Sequence, residues 1–499
     1  LLLESGGWHH EPDTHALTRG ATIGQPYYEL DEARLRFFGG TLNIWGGRCV
    51  PLDDIDFTRR DWVEYSGWPI SSEELRPYYE SAHQAFELGP FDYGNELWRQ
   101  FPGAGPAFDS RLFTSRFWRF DEARERFGQA GCKDLPASSD VTVLLHANAV
   151  NFHARANADS IGHLTMSTLE GKRGSVVAGA FVLACGGLEN PRILLASNDV
   201  ESTGIGNRHD QLGRYFMEHP HARAGFLKSG RAYDLWSAYR KRYFPRSVPL
   251  APVLCPSNAL QKERRILNTV VTFKLQRSPG RGIALDKRLY FYLKHRIEPD
   301  RTGLRVWHAY RRMRAWRHRH LRSFWERLRA GLGMTGLSVI VRAEQAPNPQ
   351  SRVRLGHEKD ALGMPRLELD WRLGEQDKRT VAVLAELLAD ELERLGIGRL
   401  QVSDWLQENG TGWPVDATIG NHPIGGFHHM GTTRMSADPA RGVVDADCRV
   451  HGYGNLFVAG SSVFPTGGWA NPTLTIVALA HRLADHLLAR KSHPPLAGW

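Results

Sequence analysis

Residues 455–488, NLFVAGSSVFPTGGWANPTLTIVALAHRLADHLL, leave the chain little freedom in local structure. NLFVAG (455–460) is a β-branched and aromatic run flanked by Gly454 and closed by Gly460, which reads as a short buried strand. SSVFPTGGWA is the loop after it. From Asn471 onward Leu474, Ile476, Val477, Leu479, Ala480, Leu483, Leu487 and Leu488 recur at helical spacing, with Asn471 as N-cap and Pro472 at the first helical position. The segment is therefore strand, glycine loop, helix. A helix start of this kind presents unpaired N–H groups and positive potential, which suits a phosphate or an electron-rich ring.

Just upstream, GGFHHMGTTRM (425–435) sets His428 in a glycine-rich turn. Only a short strand and a loop separate His428 from Asn471, so one fold can bring both to one pocket, as a base and its polar partner require. Each residue alone has a plainer explanation. Asn-Pro caps helices, and a lone loop histidine is ordinarily hydrogen-bonded structure.

Together, H-x-x-G-T-x-R-M (428–435) and A-N-P-T-L-T (470–475) resemble the glucose-methanol-choline (GMC) oxidoreductases, which are FAD-dependent alcohol oxidases and dehydrogenases. The likeness is greatest to the bacterial branch near pyranose oxidase and the sugar and polyol dehydrogenases. The resemblance implies His428 as general base and Asn471 as its partner, with His429 turned elsewhere. It implies that Pro472 and Thr473, at the helix start, lie against the flavin. Gly460, followed by Ser461, stands where many of these enzymes have Asp, which leaves backbone N–H groups to hold the cofactor there.

Earlier motifs extend the cofactor reading. LLLE (1–4) reads as the end of a buried strand closing on Glu4, an acid placed to bond a ribose hydroxyl; a solvated strand-end carboxylate explains it equally well. No G-x-G-x-x-G precedes Glu4 in the sequence, so the first βα unit is expected upstream of residue 1. In FFGGTLNIWGGRC (37–49), the pairs Gly39-Gly40 and Gly46-Gly47 bracket Asn43 and Trp45, letting the backbone approach a flat ligand; a turn-rich loop is the plainer reading. The resemblance places this loop along the flavin. It also implies non-covalent FAD, because Ile44 stands where some relatives carry the histidine that bonds to the cofactor. VTVLLHANAVNF (141–152) reads as a strand leading into Asn148 and Ala149, which in the family frame the adenine. Residues 174–197 read as a hairpin, a buried strand, a glycine turn and a helix capped by Asn190 with Pro191. There Ala184, Gly186 and Gly187 lie beside the cofactor or serve tight strand–helix packing.

The expected fold class is α/β, α+β taken whole. A Rossmann-like FAD-binding domain (1–60, 138–220 and 440–499) interleaves with a substrate domain (61–137 and 221–439) built on an antiparallel sheet with helices outside. Strands around 339–356 and a helix over 375–395 belong to the latter. Five scattered cysteines without CxxC spacing argue for reduced thiols and against a zinc site. Glu218, His219 and His221 lack a matching ligand pair, so a structural role is preferred to a metal. With no run of about eighteen apolar residues, no membrane span is expected. A cytoplasmic enzyme is the default, weakly constrained because a signal peptide would precede residue 1. Residues 301–330 hold ten arginines against the single acid Glu326, with Trp307, Met313, Trp316 and Trp325 interleaved. A solvated face with inward aromatics is preferred to a surface helix touching lipid or an acidic partner, and nucleic acid is not expected.

The functional expectation is an oxidoreductase acting on a CH–OH group of a sugar, glycoside or polyol, passing electrons to oxygen or a quinone-like acceptor. The rivals are a flavin-retaining lyase of the hydroxynitrile-lyase type and a non-catalytic truncated relative. A plain NAD dehydrogenase fits the tail motifs less well.

Overall fold

The computed structural model describes residues 1–103, 105–123, 126–229, 231–245, 247–276, 301–320, 326–329, 332, 335–420 and 422–492. The C-terminal segment folds as its pattern dictates. Leu456–Val458 is a fully buried strand, Ser461–Val463 a 3-10 turn in the loop, and Thr473–Ser492 a long helix. Leu474, Ala478, Leu479 and Leu483 of that helix are buried, and each leucine contributes about 1.5–3 kcal/mol by leaving water. The helix packs on Ser72–Ala85, where Tyr79 Oη meets Thr475 Oγ1 at 2.8 Å and Ser81 Oγ meets His481 Nδ1 at 2.7 Å. These polar contacts fix the height of the helix start.

Leu456–Val458 pairs in parallel with Phe181–Leu183, and Leu2–Leu3 pairs in parallel with Val143–Leu144. Asn148–Ala154, Ile161–Ser167 and Arg173–Val176 form an antiparallel meander. The run over 141–152, expected as one strand, is split. His146 takes a left-handed φ of 56°, which turns the chain so that its two halves join different sheets.

The largest sheet has eight strands, all antiparallel in their pairings. Its path runs Leu400–Val402, His221–Leu227, Gly336–Arg342, Val270–Gln276, Ser247–Pro256, Phe113–Phe120 and Arg48–Cys49, with Arg242–Phe244 attached to Ser247–Pro256. His221–Leu227 is buried at every position and Gly336–Arg342 at all but its last, so polar alternation is absent there. The helices Ala232–Tyr239 and Glu375–Arg394 cover this sheet; the latter ends one residue from its expected limit. Residues 352–371 form a hairpin in a separate three-stranded sheet, in which Gly20–Gly24 pairs parallel to Pro365–Trp371.

The helix over Gly186–Ala196 corrects one reading. Its N-cap is Cys185, while Asn190 and Pro191 lie inside it. Asn190 Oδ1 accepts from Cys185 N, and Nδ2 donates to Ala459 O and Ser462 Oγ, tying the helix start to the end of the 456–458 strand. Pro191 has no N–H for the carbonyl of Gly187, four residues back. Thr432 Oγ1 supplies that carbonyl's hydrogen bond instead, at 2.6 Å.

Arg301–His320 is a helix. Trp307 packs inward as expected, but Met313 and Trp316 are exposed; Trp325, with the rest of 321–325, and Ala330 lie outside the described residues. No helix of the described residues is long and apolar enough to cross a membrane. All five cysteines are free.

Candidate active site

A cavity of about 1670 Å³ runs from the N-terminal strand to the start of the C-terminal helix. It exceeds the roughly 300–1,000 Å³ of a drug-sized ligand site, so it has room for a dinucleotide and a substrate together.

At one end the GTTRM turn and the segment carrying His219 run side by side. Met217 and Met430 exchange both backbone hydrogen bonds at 3.0 Å, and Pro220 opposes Gly425. Glu218 locks this register. Its buried carboxylate accepts from the backbone N–H of His219 at 2.5 Å, that of His428 at 3.0 Å, and Tyr27 Oη at 3.1 Å. Burial raises its pKa to about 7 against those hydrogen bonds.

This register sets His219 edge-on to His428, with ring centroids 4.9 Å apart. His219 Nε2 lies 2.8 Å from Gly468 O, and a carbonyl only accepts, so Nε2 carries the hydrogen. Burial lowers the pKa of His219 to about 4, so the ring is neutral and its Nδ1 is a lone pair. Nδ1 of His428 lies 2.7 Å away and must therefore be the donor. His428, held far below its ordinary pKa by burial and then by His219, His221 and Arg342, is neutral too. Its Nε2 is left as a lone pair, 3.2 Å from Asn471 Nδ2. The tautomer follows from the network. The result is an imidazole with its acceptor nitrogen beside an amide donor, able to take a hydroxyl proton while the amide holds the same oxygen.

The sequence-based candidates divide into two groups. His428, Asn471, Pro472, Thr473, Ser461, Glu4, Gly39, Gly40, Trp45, Gly46, Ala149, Ala184 and Gly186 line the cavity. Asn43, Gly47, Asn148 and Gly460 are absent from its lining. Asn43 Nδ2 donates to the carbonyls of Phe38 and Gly40, and Asn148 is spent on Ser5, Arg36 and Ser167. Asn471, expected as N-cap, gives its side chain to His428, and the helix begins at Thr473. His429 turns to Tyr27 Oη at 2.9 Å. His219 was read as structural, and its contact with His428 joins positions 209 residues apart, which no local pattern announces.

The lining suits a flavin dinucleotide. Gly186 takes φ +85° at a helix start, and a Cβ there would meet no atom within 4 Å, so the backbone lies open to the cavity. At Gly187 a Cβ would fall 2.2 Å from His429 O, so this glycine is required by close backbone approach. Glu4 follows the Leu2–Leu3 strand, and Gly6 N donates to its Oε1 at 2.9 Å. Burial raises its pKa, against the Gly6 hydrogen bond and Arg36. Two helix N-termini, at Gly186 and Thr473, face the same space as this acid. Ile44, which has no atom to bond a cofactor covalently, lines it as well.

Comparison with known proteins agrees with this geometry. Residues 347–480 match the family model described as GMC oxidoreductase. The chain is 30% identical over 501 residues to 6'''-hydroxyparomomycin C oxidase of Streptomyces lividus, covering 91% of this chain and 79% of that one. It is 23% identical over 534 residues to 2-methyl-1,2-propanediol dehydrogenase of Mycolicibacterium austroafricanum, covering 97% and 86%. It is 27% identical over 315 residues to the fructose dehydrogenase large subunit of Gluconobacter japonicus, covering 63% of this chain and about half (48%) of that subunit. The fold is shared with pyridoxine 4-oxidase from Mesorbium loti at a TM-score of 0.53 and 17% identity, over 98% of this chain and 94% of that one. A neutral histidine beside an amide in a cavity with room for a dinucleotide, the family model and the near full-length relative converge: the chain belongs to the GMC oxidoreductase family, the FAD-dependent oxidoreductases that act on CH–OH groups.

Proposed function

We propose that this protein oxidises a CH–OH group of a sugar, glycoside or polyol. His428 Nε2 takes the hydroxyl proton and Asn471 Nδ2 holds the same oxygen. The observation that carries the reading is the chain Gly468 O, His219, His428, Asn471, which leaves one lone pair facing the cavity. FAD, when bound, supplies the hydride acceptor. Glu4 and the backbone at Gly186, Gly39, Gly40 and Gly46 hold it without a covalent bond, and the helix start at Pro472 and Thr473 favours negative charge beside it. Segments 1–60, 138–220 and 440–499 form the cofactor-binding part, and the eight-stranded sheet, apart from its edge strand Arg48–Cys49, belongs to the substrate part. The electron acceptor is oxygen or a quinone-like molecule.

A carbohydrate or polyol substrate is supported by the names of the relatives, which include dehydrogenases of fructose and of a diol and an oxidase of an aminoglycoside. The test is anaerobic flavin reduction by a panel of sugars, glycosides and polyols. Bleaching by one of them supports the reading. Flavin that stays oxidised while a cyanohydrin is cleaved would replace it with a lyase.

A further inference from the structure

The helix Arg301–His320 presents apolar residues on two faces, and the fold accounts for one of them. On the inner face Trp307 is buried, and with Arg311 it lines the cavity that holds His428. The outer face follows from spacing. Positions 302, 306, 309, 313 and 316 are separated by four, three, four and three residues, so they share one stripe along the helix, about 21 Å long at the α-helical rise. They are Thr302, Val306, Ala309, Met313 and Trp316, and every one is exposed. Val306 is 44% exposed, Met313 62% and Trp316 57%. Among the described residues no other tryptophan or phenylalanine is exposed. Apolar residues scattered singly over a surface need no explanation, but a continuous stripe does.

Charge narrows the choice of occupant. The helix holds seven arginines and no aspartate or glutamate. Arg305 and Arg312 are exposed, seven residues apart on one edge of the stripe, and neither forms an ion pair among the described residues. An apolar stripe edged by guanidiniums is the composition of a helix lying between lipid headgroups and acyl chains. Tryptophan favours that layer because its ring is apolar while its N–H is polar, and arginine reaches phosphate oxygens in two-point fashion. A second copy of this chain fits poorly, because a two-fold contact through this face sets the arginines of one helix against those of the other.

We propose that the outer face of Arg301–His320 docks the protein on an anionic phospholipid surface, with Val306, Met313 and Trp316 entering among the lipids and Arg305 and Arg312 meeting their phosphates. The docked face is the outside of a cavity wall, since Trp307 and Arg311 line the cavity from the same helix. Attachment by such a face is peripheral and reversible, and no helix of the described residues is long and apolar enough to cross a membrane. The inference does not depend on the role proposed for His428.

The test is flotation of the holoprotein with vesicles of equimolar phosphatidylcholine and phosphatidylglycerol, against vesicles of phosphatidylcholine alone. The protein should float with the anionic vesicles, more weakly with the neutral ones, and less as salt is added. Each arginine at an anionic surface contributes a factor of roughly five, so Arg305→Gln/Arg312→Gln should weaken binding roughly 25-fold. Met313→Ser/Trp316→Ser should weaken it roughly 10-fold or more, the lower end of what burying one such side chain contributes. All four positions lie outside the cavity lining, so FAD content and melting temperature should stay at wild-type values and report that the variants are folded. If a double variant loses FAD, the single changes Arg312→Gln and Met313→Gln are read in its place. No binding to the anionic vesicles, equal binding to both vesicle types, or wild-type binding in either double variant would overturn the inference. Wild-type binding in Met313→Ser/Trp316→Ser alone would mean a purely electrostatic contact and point to an acidic protein as the occupant.

Discussion

Removing His219 is the sharpest probe of how the site is set. In His219→Leu the Nδ1–H of His428 loses the acceptor that lies 2.7 Å away, in a buried place where no water replaces it freely. A buried donor left unsatisfied costs about 1–3 kcal/mol, and His428 can avoid that cost by moving its hydrogen to Nε2. That tautomer cannot accept the hydroxyl proton. The same range on the barrier corresponds to a roughly 5- to 150-fold slower flavin reduction. His219→Gln offers an amide oxygen at the same place and should recover part of the rate. The pH profile separates this role from simple packing. His219 is the second largest cause, after burial, of the low pKa of His428, so its loss raises that pKa. Reduction requires neutral His428, and its acid limb should therefore move to higher pH. The assay is stopped-flow reduction across pH for wild type, His219→Leu and His219→Gln at equal FAD content. Wild-type rates with an unmoved acid limb in His219→Leu would refute the reasoning.

Other expectations follow from the same contacts. Thr432→Val removes the hydroxyl that serves the Gly187 carbonyl freed by Pro191; thermal or urea unfolding should show a loss of about 1–3 kcal/mol, and unchanged stability would mean that the carbonyl finds another donor. Gly187→Ala places a Cβ 2.2 Å from His429 O, so FAD content and stability should both fall, whereas Gly186→Ala meets no atom and suffers only from its φ of +85°. Acid should destabilise the protein. Burial holds His219 and His83 at about 4 and His429 at about 3, with His221 and His428 lower still than their ordinary value. Below about pH 6.5 the unfolded chain takes up protons that these folded rings refuse, so stability present at neutral pH is lost as pH falls towards 4. Glu218 and Asp377, each raised to about 7, and Asp56 and Glu4, also raised by burial, act the opposite way over part of the range, but with His15 lowered as well six histidines outnumber these four carboxylates. A melting temperature that rises on acidification from pH 7 to 5 would contradict this balance.

The elements dictated by local pattern were legible in the sequence. The strand Leu456–Val458, the helix that follows it, and the helix Glu375–Arg394 each carry a period and a boundary signal strong enough to be read directly. Asn190-Pro191 shows the limit of such signals. It has the same Asn-Pro form as Asn471-Pro472, yet it lies inside a helix because Thr432 satisfies the carbonyl that proline leaves open. The split at His146 was hidden for a similar reason, since a single left-handed residue has no signature in an otherwise strand-like run. At the site, the motif identified His428 and Asn471, which the fold places in contact. His219 was not legible as a partner of that pair. It arrives from a segment 209 residues away, and what marks it is its place in three dimensions, an imidazole against an imidazole.

The most direct test of the central claim is the anaerobic visible spectrum of the holoprotein and of His428→Ala before and after an alcohol that reduces the wild type. The account predicts that both bind FAD, that the wild type bleaches, and that His428→Ala bleaches roughly 10²- to 10⁴-fold more slowly, with Asn471→Ala between them. Bleaching of His428→Ala at the wild-type rate, or a wild-type protein that binds no flavin, would contradict it.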